Sequence, residues 1–300
     1  MLAALLIFAE RAVEVAVLEV GLGGRLDAVN LLDPDVAIVC SIGFDHRDYL
    51  GDTLDLIGAE KAGIFRAGRP AVLGTDEMPP SVFAAIESLQ ARPIVAGKDF
   101  KWSMASDGRW SYDGLSLSWR DLPPSALVGS IQYRNAATAL AALEALGSVQ
   151  LSEHTVSAAL QAVRLPGRFQ SVRKDSVEWI LDIAHNEPAA AIFARHIRER
   201  PAKGRTLAVV GILSDKDAGA IARALEREVD HWILCALPGP RGGSAEDLAR
   251  RMSLSPSAVT LAASVEEGCT VAGVTAKPGD RVLVFGSFHT VGPAMQWLGI

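Results

Sequence analysis

The sequence is short of the features that mark several classes of protein. It has three cysteines in 300 residues, Cys40, Cys235 and Cys269, far apart and odd in number. That points to free thiols in a reducing cytoplasm, two of them in apolar surroundings and so buried, and away from a disulfide framework. No polybasic run occurs, and a net charge of −6 with a pI near 5.6 offers nucleic acid no electrostatic foothold. Long apolar runs are missing too. Met1 to Ala9 is almost wholly apolar but stops at Glu10-Arg11, too short to span a bilayer and without the basic start or cleavage site of a signal peptide. It reads as the end of a buried helix. No internal repeat or low-complexity tract is present.

What remains is an ordinary globular composition, 49% apolar and 21% charged, over a length that suits two domains better than one. Chemistry-bearing residues concentrate between Val15 and Gly68. Val15-Ala16-Val17-Leu18-Glu19-Val20 is an apolar run closed by glycines, the pattern of a strand buried on both faces, and Asp35 to Ile42 repeats it. Thr53 reads as an N-cap ahead of Leu54, Ile57, Lys61 and Ile64 at helical spacing. Neighbouring parallel strands would bring Glu19, His46 and Lys61 to the carboxyl edge of a sheet, where open α/β sheets bind ligands. A carboxylate closing a buried strand is costly unless it is paired, with Arg25 for instance, or bound to a cation. A lone histidine is more often structural than a ligand, and a lysine on an apolar helix face either snorkels or acts. The coincidence of three suggests a metal and phosphate site. Gly21-Leu22-Gly23-Gly24-Arg25 meets neither the Walker A nor the dinucleotide spacing and reads as a tight turn.

Downstream, Gly68 and Pro70 end the helix ahead of a strand at 71–74, a helix at 81–89 and a strand at 93–97. Alternation of Trp102, Trp110, Tyr112, Leu115, Leu117 and Trp119 around Asp107-Gly108 and Asp113-Gly114 predicts antiparallel hairpins. Helices are expected at 134–146 and 152–163. Leu165-Pro166-Gly167-Arg168 then punctuates a boundary, giving domains of residues 1–164 and 165–300. Beyond it, strands at 179–183, 206–211, 231–235 and 281–285 alternate with helices at 188–199, 217–228, 245–252 and 265–274. That βαβα order predicts a second, mainly parallel sheet with helices on both faces. Asp182 and His185 close one strand just before a Pro-started helix, whose free N–H groups suit an anion; Asn186 or Glu187 as a plain helix cap is the alternative. Asp215-Lys216-Asp217 and Gly286-Ser287-Phe288-His289 follow two further strands, a recurrence that capping does not predict.

Several of these stretches are recognisable together. They are Leu18-Glu19-Val20-Gly21-Leu22-Gly23-Gly24-Arg25-Leu26-Asp27-Ala28, Ser41-Ile42-Gly43-Phe44-Asp45-His46, Glu60-Lys61-Ala62-Gly63-Ile64, Leu165-Pro166-Gly167-Arg168-Phe169, Asp182-Ile183-Ala184-His185-Asn186 and Asp215-Lys216-Asp217. In this order they resemble the bacterial bifunctional dihydrofolate synthase/folylpolyglutamate synthase family of the Mur ligase superfamily. The resemblance implies an α/β fold: the carboxyl-terminal part of a Mur-type ATPase domain with a mainly parallel sheet, then a Rossmann-like ligase domain, with ATP between them. It implies a cytoplasmic ligase, monomeric when full length, that partners neither nucleic acid nor membrane. Such an enzyme joins a dihydropteroate or folate carboxylate to the amine of L-glutamate. ATP phosphorylates the carboxylate, the amine attacks the acyl phosphate, and ADP and phosphate leave.

By the same resemblance Glu19 and His46 are Mg²⁺ ligands, although histidine is an unusual partner for so hard a cation. Lys61 matches a lysine that is carbamylated, which turns a cation into an oxygen-bearing anion able to engage a metal; the three form the catalytic group. Asn135 corresponds to an adenine contact, Arg168 to a phosphate-reaching arginine and Asp182 to a nucleotide contact, while His185 and Ser287 fall near the glutamate. One departure stands out. Family members carry a Gly-Thr-Asn-Gly-Lys-Gly-Ser/Thr phosphate loop ahead of the Glu19 motif, and no Gly-Lys-Ser/Thr triplet occurs here. The phosphate cradle, its lysine and a hydroxyl ligand to Mg²⁺ are then missing, and strand edges and apolar surface are expected to lie uncovered. Two alternatives stay open beside the active ligase: an impaired nucleotide- or folate-binding fragment, and a peptidoglycan-precursor ligase.

Overall fold

The computed structural model describes all residues, Met1–Ile300. Its contacts divide it into two compact units, Met1–Val163 and Arg164–Ile300. No helix is long and apolar enough to cross a membrane.

The first unit opens on helix α1 (Leu2–Glu10), which buries none of its residues. The expectation of a buried helix there is therefore corrected. α1 is apolar nearly all round, and no other element packs on it closely enough to cover it. The expected strand at Val15 to Val20 is corrected as well. The segment belongs to no ladder, and Val17 is 90% exposed. An apolar run becomes a strand only when a neighbour completes its hydrogen bonds, and the sheet beside it ends at β1 (Ala37–Val39).

From β1 the chain runs through α2 (Arg47–Leu50), α3 (Leu54–Ala62), β2 (Pro70–Leu73), α4 (Pro80–Leu89) and β3 (Arg92–Val95). The three strands pair in parallel in the order β1-β2-β3. Thr53 caps α3 by accepting from the Leu56 N–H, as its spacing predicts. Side chains alternate across the sheet: Ala71 and Leu73 join a core with Ala62, Phe65, Val82 and Ile86, while Val72 and Ile94 face the other way. That second face meets an antiparallel sheet, β4 (Lys101–Met104), β5 (Trp110–Asp113) and β6 (Ser118–Leu122), and helix α5 (Ile131–Leu146). These are the hairpins that the Trp/Tyr alternation predicts. Trp110 lies edge-on to Tyr133 of α5, ring centroids 5.6 Å apart. Helix α6 (Glu153–Ala162) ends the unit.

The second unit comprises β7 (Gln170–Lys174), β8 (Val177–Asp182), α7 (Glu187–Glu199), β9 (Thr206–Val210), α8 (Ala218–Leu225), β10 (His231–Cys235), α9 (Ala245–Met252), β11 (Val259–Ala262), α10 (Val265–Thr275), β12 (Arg281–Phe285) and α11 (Phe288–Leu298). Its six strands lie in the order β11-β10-β9-β12-β8-β7. All pairs are parallel except the β7–β8 hairpin. β9 and β12 are buried at every position, the outcome expected of continuous apolar runs in a parallel sheet. The sequence pattern does not reveal β7, β11 or α11. β7 is a polar edge strand, β11 has four residues, and α11 contains Pro293.

Candidate functional site

In the first unit the glycine-rich loop is pressed against the last turn of α3. A Cβ on Gly24 would lie 2.9 Å from the Glu60 carbonyl oxygen and 3.0 Å from that of Lys61, so only glycine allows this approach. Arg25 pairs with Glu60 at 2.9 Å, so the partner offered above for Glu19 is engaged elsewhere. Asp27 holds the loop from within. One oxygen accepts from the Gly21 and Leu22 N–H groups and the other from Val29; these bonds, that from Val29 foremost, lower its carboxyl below the usual range. Asn30 ties the loop to the Gly63 carbonyl. The loop that follows Glu19 is thereby registered on the helix that carries Lys61.

Glu19 is exposed and Lys61 half-buried. Both act electrostatically on the thiol of Cys40 at the carboxyl end of β1, as does Arg134 of α5. Burial is the largest influence there and pushes the thiol up, with Arg134 next and opposing it. Glu19 and Lys61 are therefore gathered at one strand end, and Cys40 and Arg134 join them without having been anticipated. In the sequence Cys40 is signalled only as a free thiol, and Arg134 only by its place beside Asn135. His46 lies a few residues beyond Cys40, just before α2. It sits in a left-handed conformation ahead of α2, 3.9 Å from the Asp45 carboxylate. Asn135 lies exposed on α5, its amide 3.4 Å from Gln132.

No three His, Cys, Asp or Glu side chains are clustered to hold a metal. The donors available suit a cation that takes few protein ligands and keeps waters or phosphate oxygens, as Mg²⁺ does. An unmodified Lys61 amine is no ligand for it; a carbamate there would be.

The second unit gathers its residues at the carboxyl ends of β8, β12 and β9. Asp182 closes β8, and its two oxygens accept backbone N–H groups from Phe169 at 2.9 Å and Ala184 at 2.8 Å. Burial, the dominant cause, raises its carboxyl despite these bonds and the nearby charges of Arg168 and His185. Its structural task is thus to hold the turn that carries the exposed Arg168. Gln170 helps by accepting from the Gly167 N–H at 2.9 Å. His185 Nδ1 lies 3.0 Å from the Ile183 carbonyl. A carbonyl only accepts, so Nδ1 carries the proton, and in the neutral ring the lone pair sits on Nε2. Asn186 caps α7 and Asp217 caps α8, so capping explains those two motif residues. Asp215 forms a bidentate pair with Arg241. Ser287 is nearly buried beside Thr290 and Gly211.

Two units that each carry a parallel sheet with polar groups at strand carboxyl ends are the architecture of a Mur-type ligase, and family models show that class. The Mur ligase middle domain matches residues 1–143 and the Mur ligase glutamate ligase domain matches residues 167–288. The dihydrofolate synthase/folylpolyglutamate synthase of Escherichia coli K12 is 40% identical over 98% of this chain and 67% of its own length. A solved structure of E. coli FolC in complex with DHPP and ADP superposes with a TM-score of 0.91, covering 99% of this chain and 69% of that one at 40% identity. A bifunctional folylpolyglutamate synthase/dihydrofolate synthase with Mn, AMPPNP and L-glutamate bound gives 0.89 at 40% identity, over all of this chain and 70% of that one. The chain belongs to the dihydrofolate synthase/folylpolyglutamate synthase family.

Proposed function

We propose that this protein is an ATP-dependent, ADP-forming ligase. It joins the carboxylate of a dihydropteroate or folate to the amine of L-glutamate through an acyl phosphate, in the cytoplasm. The observation that carries the reading is the packing of the glycine loop that follows Glu19 on the helix that carries Lys61, in a chain 40% identical to a ligase of this activity. Relatives with ADP and DHPP, and with Mn, AMPPNP and L-glutamate, support the same substrates. Phosphoryl transfer needs charge neutralisation and positioning more than covalent help.

Glu19 and His46, with Lys61 as its carbamate, would hold Mg²⁺, which when bound neutralises charge on the transferring phosphoryl group. Asn135 offers an amide to adenine. Arg168, on the turn braced by Asp182, offers a guanidinium to phosphate oxygens. His185 and Ser287 receive the amino acid. The units Met1–Val163 and Arg164–Ile300 are the natural ATPase and ligase portions under this reading.

The test is glutamate-dependent phosphate release with dihydropteroate or tetrahydrofolate as acceptor. Glu19→Ala and Lys61→Ala should each abolish it, and wild-type-like turnover in both variants would overturn the site assignment. Release with a UDP-muramoyl acceptor instead would make the protein a peptidoglycan-precursor ligase. The alternative reading is a protein that binds nucleotide or folate without catalysing the ligation. Calorimetric ATP binding without any glutamate-dependent phosphate release would establish that one.

A further inference from the structure

Five arginines are wholly or partly enclosed: Arg66, Arg109, Arg134, Arg251 and Arg281. Four of them spend the guanidinium on the protein itself. Arg66 and Arg109 pair with Asp33 and Asp121, Arg251 holds two carbonyls of the loop after β9, and Arg281 donates to Thr206. Arg134 is the exception. Its Nε is shut from water without a partner, and its guanidinium enters no hydrogen bond or ion pair. A half-enclosed cation left unpaired carries a desolvation cost that nothing in the protein offsets.

The fold shows where the missing partner belongs. Ala137 and Ala141 of α5 pack in one core with Val72 of β2, and Thr138 beside them is buried. Arg134 stands one turn before Thr138 and two before Ala141, so it leads the face of α5 that meets the sheet. Its charge reaches the end of β1, where it opposes burial, the largest influence on the Cys40 thiol. β1 and β2 end together there, with the Gly74 N–H donating to the Val39 carbonyl at 2.9 Å. A Cβ on Gly74 would lie 2.5 Å from the Cys40 oxygen, so glycine keeps the gap between the two strand ends clear of a side chain.

We propose that Arg134 is a ligand-binding residue whose guanidinium receives a phosphate-class oxyanion at the carboxyl end of β1. For the class of anion the proposal rests on the ligase reading above, in which ATP, the acyl phosphate and the released phosphate all carry such a group. The chemistry agrees with that choice. A phosphate group brings about two negative charges and three acceptor oxygens, against one charge and two oxygens for a carboxylate, and a guanidinium offers the N–H fork that suits it.

Cys40 keeps solvent-accessible surface and serves as the local reporter. Its alkylation by iodoacetamide is timed by peptide mapping on the whole chain, for wild type, Arg134→Met and Arg134→Gln, with circular dichroism to check folding. Inorganic phosphate, ADP and glutarate are each titrated at matched ionic strength, and the half-protecting concentration is read. In wild type, phosphate or ADP should slow the alkylation, and glutarate should not. Both substitutions should raise the half-protecting concentration about tenfold or more, the loss expected when a bond to a charged group is removed. If Arg134→Met fails to fold, Arg134→Gln decides. Protection by phosphate marks a site for the free anion, and protection by ADP alone marks the phosphoryl groups of a nucleotide; either supports the proposal when the substitutions remove it. Protection that survives both substitutions, protection by glutarate equal to that by phosphate, or no protection by phosphate and ADP would each overturn it. Arg134-dependent protection in a chain that releases no phosphate with glutamate would sustain the site and sink the ligase reading. Glutamate-dependent turnover with protection untouched by either substitution would do the reverse.

Discussion

Replacing Glu144 by glutamine tests how the first unit holds the helix that carries Arg134 and Asn135. Glu144 lies near the end of α5 and receives five hydrogen bonds from the β5–β6 hairpin. Tyr112 Oη donates to it at 2.6 Å and the Leu117 N–H at 2.9 Å, both partly buried; the Leu115 N–H and the N–H and Oγ of Ser116 complete the set from exposed positions. At the other end of α5, Tyr133 Oη donates to the Gly108 carbonyl at 3.0 Å, so the hairpin sheet grips the helix at both ends. Water replaces the exposed bonds at little cost. Glutamine keeps one acceptor oxygen for Tyr112 but turns an NH₂ towards the Ser116 and Leu117 donors. The loss is then one partly buried bond to a charged acceptor, about 2–3 kcal/mol. For a unit of this size that lowers the melting midpoint by about 4–12 °C.

The acid dependence supplies a second readout. Burial raises the Glu144 carboxyl, but the bonds from Tyr112, Ser116 and Leu117 outweigh it and hold the group below its ordinary 4.5. A carboxyl depressed on folding contributes stability above its unfolded pKa and loses it as pH falls through the folded one. The gap between wild type and Glu144→Gln should therefore close on acidification, because the glutamine does not titrate. Thermal melts at neutral and acid pH, with hydrogen exchange at residues 115–117, measure both effects. A variant that melts within about 1 °C of wild type at neutral pH, with unchanged exchange, refutes the reasoning.

Three further outcomes follow from particular contacts. Burial raises all three thiols, but Cys40 keeps solvent-accessible surface, whereas Cys235 and Cys269 are enclosed and pushed up to about 12, so a thiol reagent should reach one cysteine in the native protein and all three after unfolding. His196 is buried with Nε2 unpartnered, and burial lowers its pKa below 6.5. Below that pH the unfolded chain takes up a proton that the folded one refuses, so wild type should lose up to about 1.4 kcal/mol per pH unit relative to His196→Phe. Denaturant titrations of both proteins between pH 5 and 8 would read the difference. Gly24→Ala should cost about 1–3 kcal/mol, because its Cβ meets two backbone oxygens that cannot swing aside; an unchanged unfolding midpoint would contradict the packing of the glycine loop on α3.

The elements legible in the sequence are those whose signal is local. The runs Thr206–Val210, His231–Cys235 and Arg281–Phe285 are continuously apolar because a parallel sheet covers both faces, and each is a strand. Thr53 and Asn186 announce helix starts within three residues. The motifs around Glu19, His46, Lys61, Arg168, Asp182 and Asp215 likewise point to the family without any coordinates. Partnership over distance is what a local pattern does not carry. Val15 to Val20 has the composition of a strand and no neighbour to pair with. Glu60, not Glu19, takes Arg25, and both oxygens of Asp182 are drawn to backbone N–H groups. Thr290 reaches a carbonyl 79 residues away. By itself the sequence determined which segments are apolar enough to pack and which residue types stand at strand ends. Only the tertiary structure decided which donor meets which acceptor, because that choice depends on chain segments brought together by folding and not on neighbours along the chain.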